Sequence, residues 1–279
     1  MRLLLVSLLL PVWSQGNTVQ QAREHYQKTE YNQALQLLGK RNDPESLALA
    51  GKAKFQLGEY REAIDLLEQA LQKDPRNSHY QLWLGKALGR RAETSSFITA
   101  PKYAVECRKA FEKAVELDAK NVEAWSDLFQ YFLNAPGFLG GGMDKAEDAA
   151  RRIGELSAAE GHWALAQIAE KKKDYASTEQ EFRRALDLEP KQPGRLLDLA
   201  RFHSRRGRHA ESDKLFEQAA QLAPSAPNVL YARAQSLIES SRDLSTARRL
   251  LERYLTMPLT PDDPARRDAE KLLKKTPTR

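Results

Sequence analysis

The chain has 279 residues, 41% of them hydrophobic and 29% charged, with a formal net charge of +6 and a single cysteine, Cys107. That length buries a substantial core, as one large domain or two small ones. Ordinary glycine and proline content excludes a collagen-like or low-complexity chain, a lone cysteine excludes an internal disulfide framework, and the modest, dispersed positive excess reads as solubility and gives no reason to expect nucleic acid.

Met1 and Arg2 form a short positive start, and residues 3–12, "LLLVSLLLPV", form a compact apolar run. Val12 and Ser14 stand where a signal peptidase wants small residues. Residues 1–14 are therefore expected to be a secretory signal, with Gln15 opening the mature chain. The run is roughly half of the ~20 residues that span a bilayer, so membrane contact is expected to be peripheral if any. This implies an exported protein, periplasmic or extracellular, whose basic residues meet an acidic partner or an anionic envelope surface. Cys107 reads as a small buried apolar residue.

Further along, the sequence repeats itself. "FQLGEYREAIDLLEQALQKDP" (55–75), "EKKKDYASTEQEFRRALDLEP" (170–190) and "HSRRGRHAESDKLFEQAAQLAP" (203–224) share a short turn, a small-residue helix, Ala beside an apolar residue, and a closing proline. Pro190 and Pro224 share a place in units 34 residues long. Weaker copies fill the rest: 20–38; the split halves 80–88 and 110–121; the split halves 123–133 and 144–153; and 230–255. Residues 263–275 read as a polar end helix, which an open stack of repeats requires. Nothing alternates with period two, so no sheet is expected.

These residues resemble the tetratricopeptide repeat family, whose unit is a pair of antiparallel helices, A and B. Ala50-Gly51 matches the close helix crossing, and Gly58 and Tyr60 the turn. Ala63, Leu67 and Ala70 match the inner face of helix B, and Pro75 its stop. Leu199-Ala200, Gly207, Phe216, Ala219 and Pro224 match in a second unit, and Leu165-Ala166, Asp174-Tyr175, Phe182, Ala185 and Pro190 in a third. The resemblance implies an all-α, right-handed superhelical solenoid of about seven pairs over residues 15–261, then a capping helix and tail over 262–279. It also implies a protein or peptide partner.

The glycine stretch "NAPGFLGGGMDKAEDAARR" (134–152) invites a phosphate-binding reading. Gly137 and Gly142 have the P-loop gap, but Met143 stands where lysine is required and Asp144 where a hydroxyl is required, and no strand precedes them. The stretch reads instead as a turn between helices, ended by Pro136, reversed by Gly140 to Gly142, with Asp144 capping the next helix. No nucleotide is expected. The neighbouring insertion, residues 90–103, should lengthen both helices of its pair, with Pro101 in a first turn. Its Phe97 and Ile98 should lie near Phe138 and Leu139, either burying one another or forming an apolar edge patch for a partner.

Helix A side chains line the concave face of such a stack. Here these include Lys52, Phe55, His79, Lys86, Arg90, Gln130, Asn134, Trp163, Gln167, Lys171, Arg201 and Arg205. The pairs Lys86/Arg90 and Arg201/Arg205 are each four apart and share a helix face. With Phe55 and Trp163 they can hold an extended acidic peptide through forked hydrogen bonds and apolar anchors. Among the five histidines there is no metal-ligand spacing, and His203 falls on an inward slot as a packed residue. No nucleophile motif is present, so no catalytic residue, metal or cofactor is expected. The reading is a non-enzymatic exported adaptor, with an envelope protein for an anionic cell-wall or lipid ligand as the alternative.

Overall fold

A computed structural model describes residues 13–277, with side chains from Thr18 onward. The expected signal segment lies outside the described residues except for Trp13 and Ser14, which open the first helix. All regular structure among the described residues is helical. The helices come in pairs: α1 (Trp13–Gln27) with α2 (Tyr31–Leu38), α3 (Pro44–Leu57) with α4 (Tyr60–Lys73), α5 (Ser78–Glu93) with α6 (Ala100–Leu117), and α7 (Val122–Asn134) with α8 (Met143–Leu156). Then come α9 (Ala158–Lys171) with α10 (Tyr175–Leu188), α11 (Pro193–Arg205) with α12 (His209–Leu222), α13 (Pro227–Glu239) with α14 (Leu244–Thr256), and a last helix, α15 (Arg266–Leu273). Each helix packs chiefly on those before and after it, the contact pattern of a solenoid.

Local chemistry explains the boundaries. Asp43, Asn77, Asn121, Ser157, Asp174 and Asp243 each precede a helix and accept from the backbone N–H three residues on. Gly58 (φ +83°) and Gly207 (φ +72°) end their helices in the left-handed region. The equivalent turn in three other pairs uses Thr29, Lys173 and Ser241 at φ +59°, +62° and +52°. Side chains there clash with their own backbone, so these turns are strained.

Inside each pair the close crossing uses small residues. A Cβ on Gly51 would lie 2.8 Å from Leu67 Cγ, and one on Gly85 would lie 2.5 Å from a Phe111 ring carbon. Between α8 and α9 two glycines meet, since a Cβ on Gly161 would come within 2.5 Å of the Gly154 Cα. Phe182, Phe202 and Phe216 fill the later pairs and are fully enclosed. His203 is likewise buried, and Cys107 is buried against Gly89, its thiol pushed up to about 12 by burial and by Asp127. The insertion lengthens both helices of its pair, to 16 residues in α5 and 18 in α6, with Pro101 in the first turn of α6.

The C-terminus differs from the expectation of an open end. The end helix is shorter than 263–275, and the stack curls until this end meets the second pair. Gln56 Nε2 donates to the Pro261 carbonyl at 2.9 Å, and Arg267 Nη1 donates to the Gln56 carbonyl at 2.8 Å. Arg267 Nη2 donates to the Tyr60 hydroxyl at 2.8 Å. The physical reason is that the last turn of α3 leaves carbonyls without helical partners, and a guanidinium satisfies them at the negative end of the helix.

Lys173→Gly should relieve its turn and raise stability by up to about 1 kcal/mol, the strain removed exceeding the entropy that glycine adds to the unfolded chain. Urea unfolding at neutral pH, compared with wild type, measures it.

Candidate functional site

The inner face is built by α3, α5, α7, α9 and α11. Its residues are tied together across successive odd-numbered helices, 27 to 41 residues apart in sequence. Lys52 Nζ donates to His79 Nε2 at 2.7 Å. Lys86 Nζ reaches Glu123 at 2.5 Å and Asp127 Oδ2 at 3.4 Å. Lys171 Nζ donates to Asn134 Oδ1 at 3.5 Å, and Arg195, itself buried, reaches Glu160 at 2.6 Å. Arg205 grips both oxygens of Glu170 at 2.9 and 2.8 Å, the forked geometry that arginine favours. This ladder links Lys52, Lys86, Asn134, Lys171 and Arg205 across successive odd-numbered helices.

Two hollows open on that surface. The larger, about 570 Å³, takes Phe55, Lys86, Arg90, Gln130 and Asn134 from the expected set. Its remaining wall includes Phe111, Asp127, Tyr131, Pro136 and Leu139. A second, about 420 Å³, takes Trp163, Gln167, Arg201 and Arg205 and adds Phe182, Asp198 and Glu239. Lys52 and Lys171 line neither. Lys52 instead lies 5.0 Å from the Trp83 ring centre, with Lys86 5.3 Å from the same ring. The residues expected in one groove are therefore divided between two hollows, the first walled by the lengthened α5 and α6 and by the turn that carries Leu139.

The electrostatics also depart from a free basic stripe. Arg90 is engaged by Glu93 at 2.6 Å and by the Tyr60 hydroxyl at 3.2 Å, and Arg201 has Asp198 at 3.8 Å. Burial and the neighbouring charges of Arg23 and Lys86 depress Lys52 to about 8. For Lys86, burial opposes the charge, but Asp127 and Glu123 outweigh it and hold its ammonium above the usual range. Burial raises the Asp127 carboxyl despite Lys86, and it raises Asp198 to about 6 despite Arg201. Each basic pair thus sits among carboxylates, because charges partly removed from water need partners.

Asp127 and Asp198 were missed by the sequence reading. A signal did exist: Asp127 lies four residues after Glu123 and three before Gln130, on the same stripe of α7. It was obscured because acidic residues are the default on any helical surface.

The glycine turn is structural. The Gly140 N–H donates to the Gly137 carbonyl at 2.8 Å, Gly141 to Pro136 at 3.2 Å and Gly142 to Phe132 at 2.9 Å. All three amides are consumed inside the chain, so none is left to cradle a phosphate. Gly141 is sterically required, since a Cβ there would stand 1.9 Å from the Ala135 carbonyl oxygen. Asp144 is not the cap: Gly142 holds that position without a side chain, and Asp144 sits in the first turn of α8, where a negative charge still suits the helix end.

The four edge residues do not bury one another. Phe97, Ile98 and Phe138 are 87%, 73% and 82% exposed. Leu139 turns to the larger hollow, and its carbonyl accepts from the Tyr131 hydroxyl at 2.9 Å. The glycine turn gives its short 3-10 segment, Gly137–Leu139, no buried residue, so Phe138 has nothing to pack on.

Residues 51–90 match a TPR repeat model, 169–235 a tetratricopeptide repeat model, and 9–70 a model of the anaphase-promoting complex, cyclosome, subunit 3. No curated protein matches the sequence. A tetratricopeptide repeat protein from Parabacteroides merdae superposes with a TM-score of 0.61 at 13% identity, covering 94% of this chain and 98% of its own. A thermophilic TPR protein of Thermus thermophilus gives 0.53 at 20% identity, covering 71% and 97% respectively. The C-terminal part of a TPR repeat-containing protein from Cytophaga hutchinsonii gives 0.50 at 16% identity, covering 90% and 98%.

Two outcomes check the site description. Asp198 binds its proton more tightly folded than unfolded, so stability should fall as pH rises from about 4 to about 6 and level off above; Asp198→Asn should remove that slope and gain on the order of 1–3 kcal/mol at pH 7. Denaturant midpoints across that pH range report it. Phe97→Ser and Phe138→Ser should each leave stability within about 0.5 kcal/mol, as for other exposed positions, measured by thermal unfolding. Two stretches of the chain thus match tetratricopeptide repeat models, and the superposed structures share its fold, an all-α solenoid of helix pairs.

Proposed function

We propose that the protein is a non-enzymatic exported scaffold, periplasmic or extracellular, that binds a protein or peptide partner along its inner face. Solenoids of this family serve in general as protein-interaction scaffolds, and fold alone does not choose the partner. The observation that carries the reading is the larger hollow, where Phe55, Phe111, Tyr131 and Leu139 supply apolar wall and Lys86, Arg90, Gln130 and Asn134 supply polar contacts. That mixture suits a peptide segment, with apolar pockets for anchors and a few polar groups for register. The export expectation rests on the pattern of residues 1–14.

A purely anionic cell-wall or lipid ligand fits less well. Its charges would meet cations already held by Glu93, Glu123, Asp127 and Glu170. A peptide gains from the apolar wall as well and does not depend on free charge.

The test immobilises the mature chain and captures partners from envelope extract. Two reversed forms serve as controls, Lys86→Glu with Arg90→Glu, and Arg201→Glu with Arg205→Glu. A protein retained by the wild type, identified, repurified and bound at least tenfold more weakly by a reversed form, is the expected result. Retention of purified polyanion alone, fading steadily with added salt, would replace this reading with the anionic-ligand one. Phe97→Ser and Phe138→Ser in the same assay show whether the edge contributes.

A further inference from the structure

The end of the chain and the inner face share one atom. The Tyr60 hydroxyl accepts from Arg267 Nη2 at 2.8 Å and from Arg90 Nε at 3.2 Å. Both guanidinium groups also lie near the same ring, 5.5 and 5.6 Å from its centre. Arg267 belongs to the C-terminal helix, whereas Arg90 lines the larger hollow. Tyr60 also stands edge-on to Phe55, another wall residue, with ring centres 5.6 Å apart.

The contact that brings Arg267 there is narrow. It consists of that guanidinium, the Gln56 amide on the Pro261 carbonyl, and a hollow of about 220 Å³ walled by Tyr31, Leu57 and Leu259 among others. The body of the C-terminal unit is held elsewhere, since Leu259 and Ala269 are buried with Leu251 and Tyr254. Hence the contact can open without unfolding the helices that carry it. The two sides lie about 200 residues apart along the chain, so opening changes the curvature of every pair between them.

We propose that the C-terminal helix is a clasp on the second helix pair, and that the Tyr60 hydroxyl couples the clasp to the larger hollow; the consequence for a partner rests on the inner-face reading above, the coupling itself does not. The sign follows from the shared acceptor. Two guanidinium groups of like charge meet at one hydroxyl, so each disfavours the other there. When the clasp is open, Tyr60 serves Arg90 alone and holds it back against α4. When a partner carboxylate draws Arg90 into the hollow, Tyr60 is left to Arg267 and the clasp tightens. By linkage, a closed clasp favours an acidic partner by the same factor.

Neither measurement of the coupling needs a partner. Spin labels at Gln36 and Lys274, both exposed, are placed in the Cys107→Ala background, and their distance distribution reports the clasp. The expected result is one narrow distribution that lengthens and broadens in Arg267→Ala and in Tyr60→Phe, and is unchanged in Lys271→Ala. In parallel, the Arg90 side-chain N–H resonance is followed in the unlabelled chain. It should shift in Arg267→Ala, and the shift should be lost in the Tyr60→Phe background, which separates the hydroxyl from Asp268, the carboxylate that acts on both guanidinium groups. Circular dichroism of each variant establishes that the helices remain formed, and Arg267→Lys, which keeps charge but loses the fork, should fall between. An unaltered distance in folded Arg267→Ala overturns the clasp, and an unaltered Arg90 resonance overturns the coupling. Failure of partner capture would sink the inner-face reading and leave both of these results standing.

Discussion

The structure depends on one steric constraint: two helices of a pair must approach closely enough to share an apolar stripe, and only a small residue at the crossing permits it. Gly51 against Leu67 and Gly85 against Phe111 are two solutions of the same problem, with a large side chain of helix B seated over a glycine of helix A. The contact of Gly154 with Gly161 extends it to the junction between pairs. Alanines on the second helices of four pairs, Ala63, Ala114, Ala185 and Ala219, are enclosed almost completely. Once the approach is fixed, the inter-pair angle follows from side-chain volume, and the sum of these angles sets the curvature. The clasp and the two inner hollows are products of that curvature.

How much of this was legible can be argued residue by residue. Helix identity was, because Gly58, Pro75, Pro190 and Pro224 punctuate an apolar pattern of fixed period. The lengthened α5 and α6 were legible too, because Pro101 belongs in a first turn. The placement of Lys52, Lys86, Asn134, Lys171 and Arg205 on the odd-numbered helices was legible, since each stands in the first helix of its pair. What those side chains do there was not. Whether a lysine is free or paired depends on residues 27 to 41 positions away, and sequence distance carries no charge geometry. The exposure of Phe97, Ile98 and Phe138 was hidden for a similar reason. Burial needs an opposing surface, and neither the α5–α6 connection nor the glycine turn offers one.

Closure was the least legible feature. It depends on the accumulated angle of the intervening pairs, to which each crossing adds a small rotation. An error at any one of them moves the C-terminus away from α3. Arg267 reads in sequence as one more arginine in a polar end helix. Only the unsatisfied carbonyls of the α3 terminus give it a role, and these become its neighbours only when all the intervening angles are summed.

The paired charges of the inner face bear on what kind of binding is possible. A free basic stripe would attract any polyanion at long range, with little selectivity and strong dependence on salt. Here Lys86 lies between Glu123 and Asp127, and Arg205 is held by Glu170. Long-range attraction is weakened, and the cations are oriented before any partner arrives. A partner must then displace or complement a specific carboxylate, so recognition shifts from net charge toward the positions of individual donors and acceptors. The cost of exchanging one ion pair for another is small when both are half-buried, whereas leaving either charge unpaired is expensive. A segment with an acidic group at the wrong register would strand Asp127 or Asp198 beside it, and both carboxyls already resist ionisation because of burial. On the proposed reading, specificity in this surface is therefore carried as much by the carboxylates it already holds as by the arginines and lysines that first draw the eye.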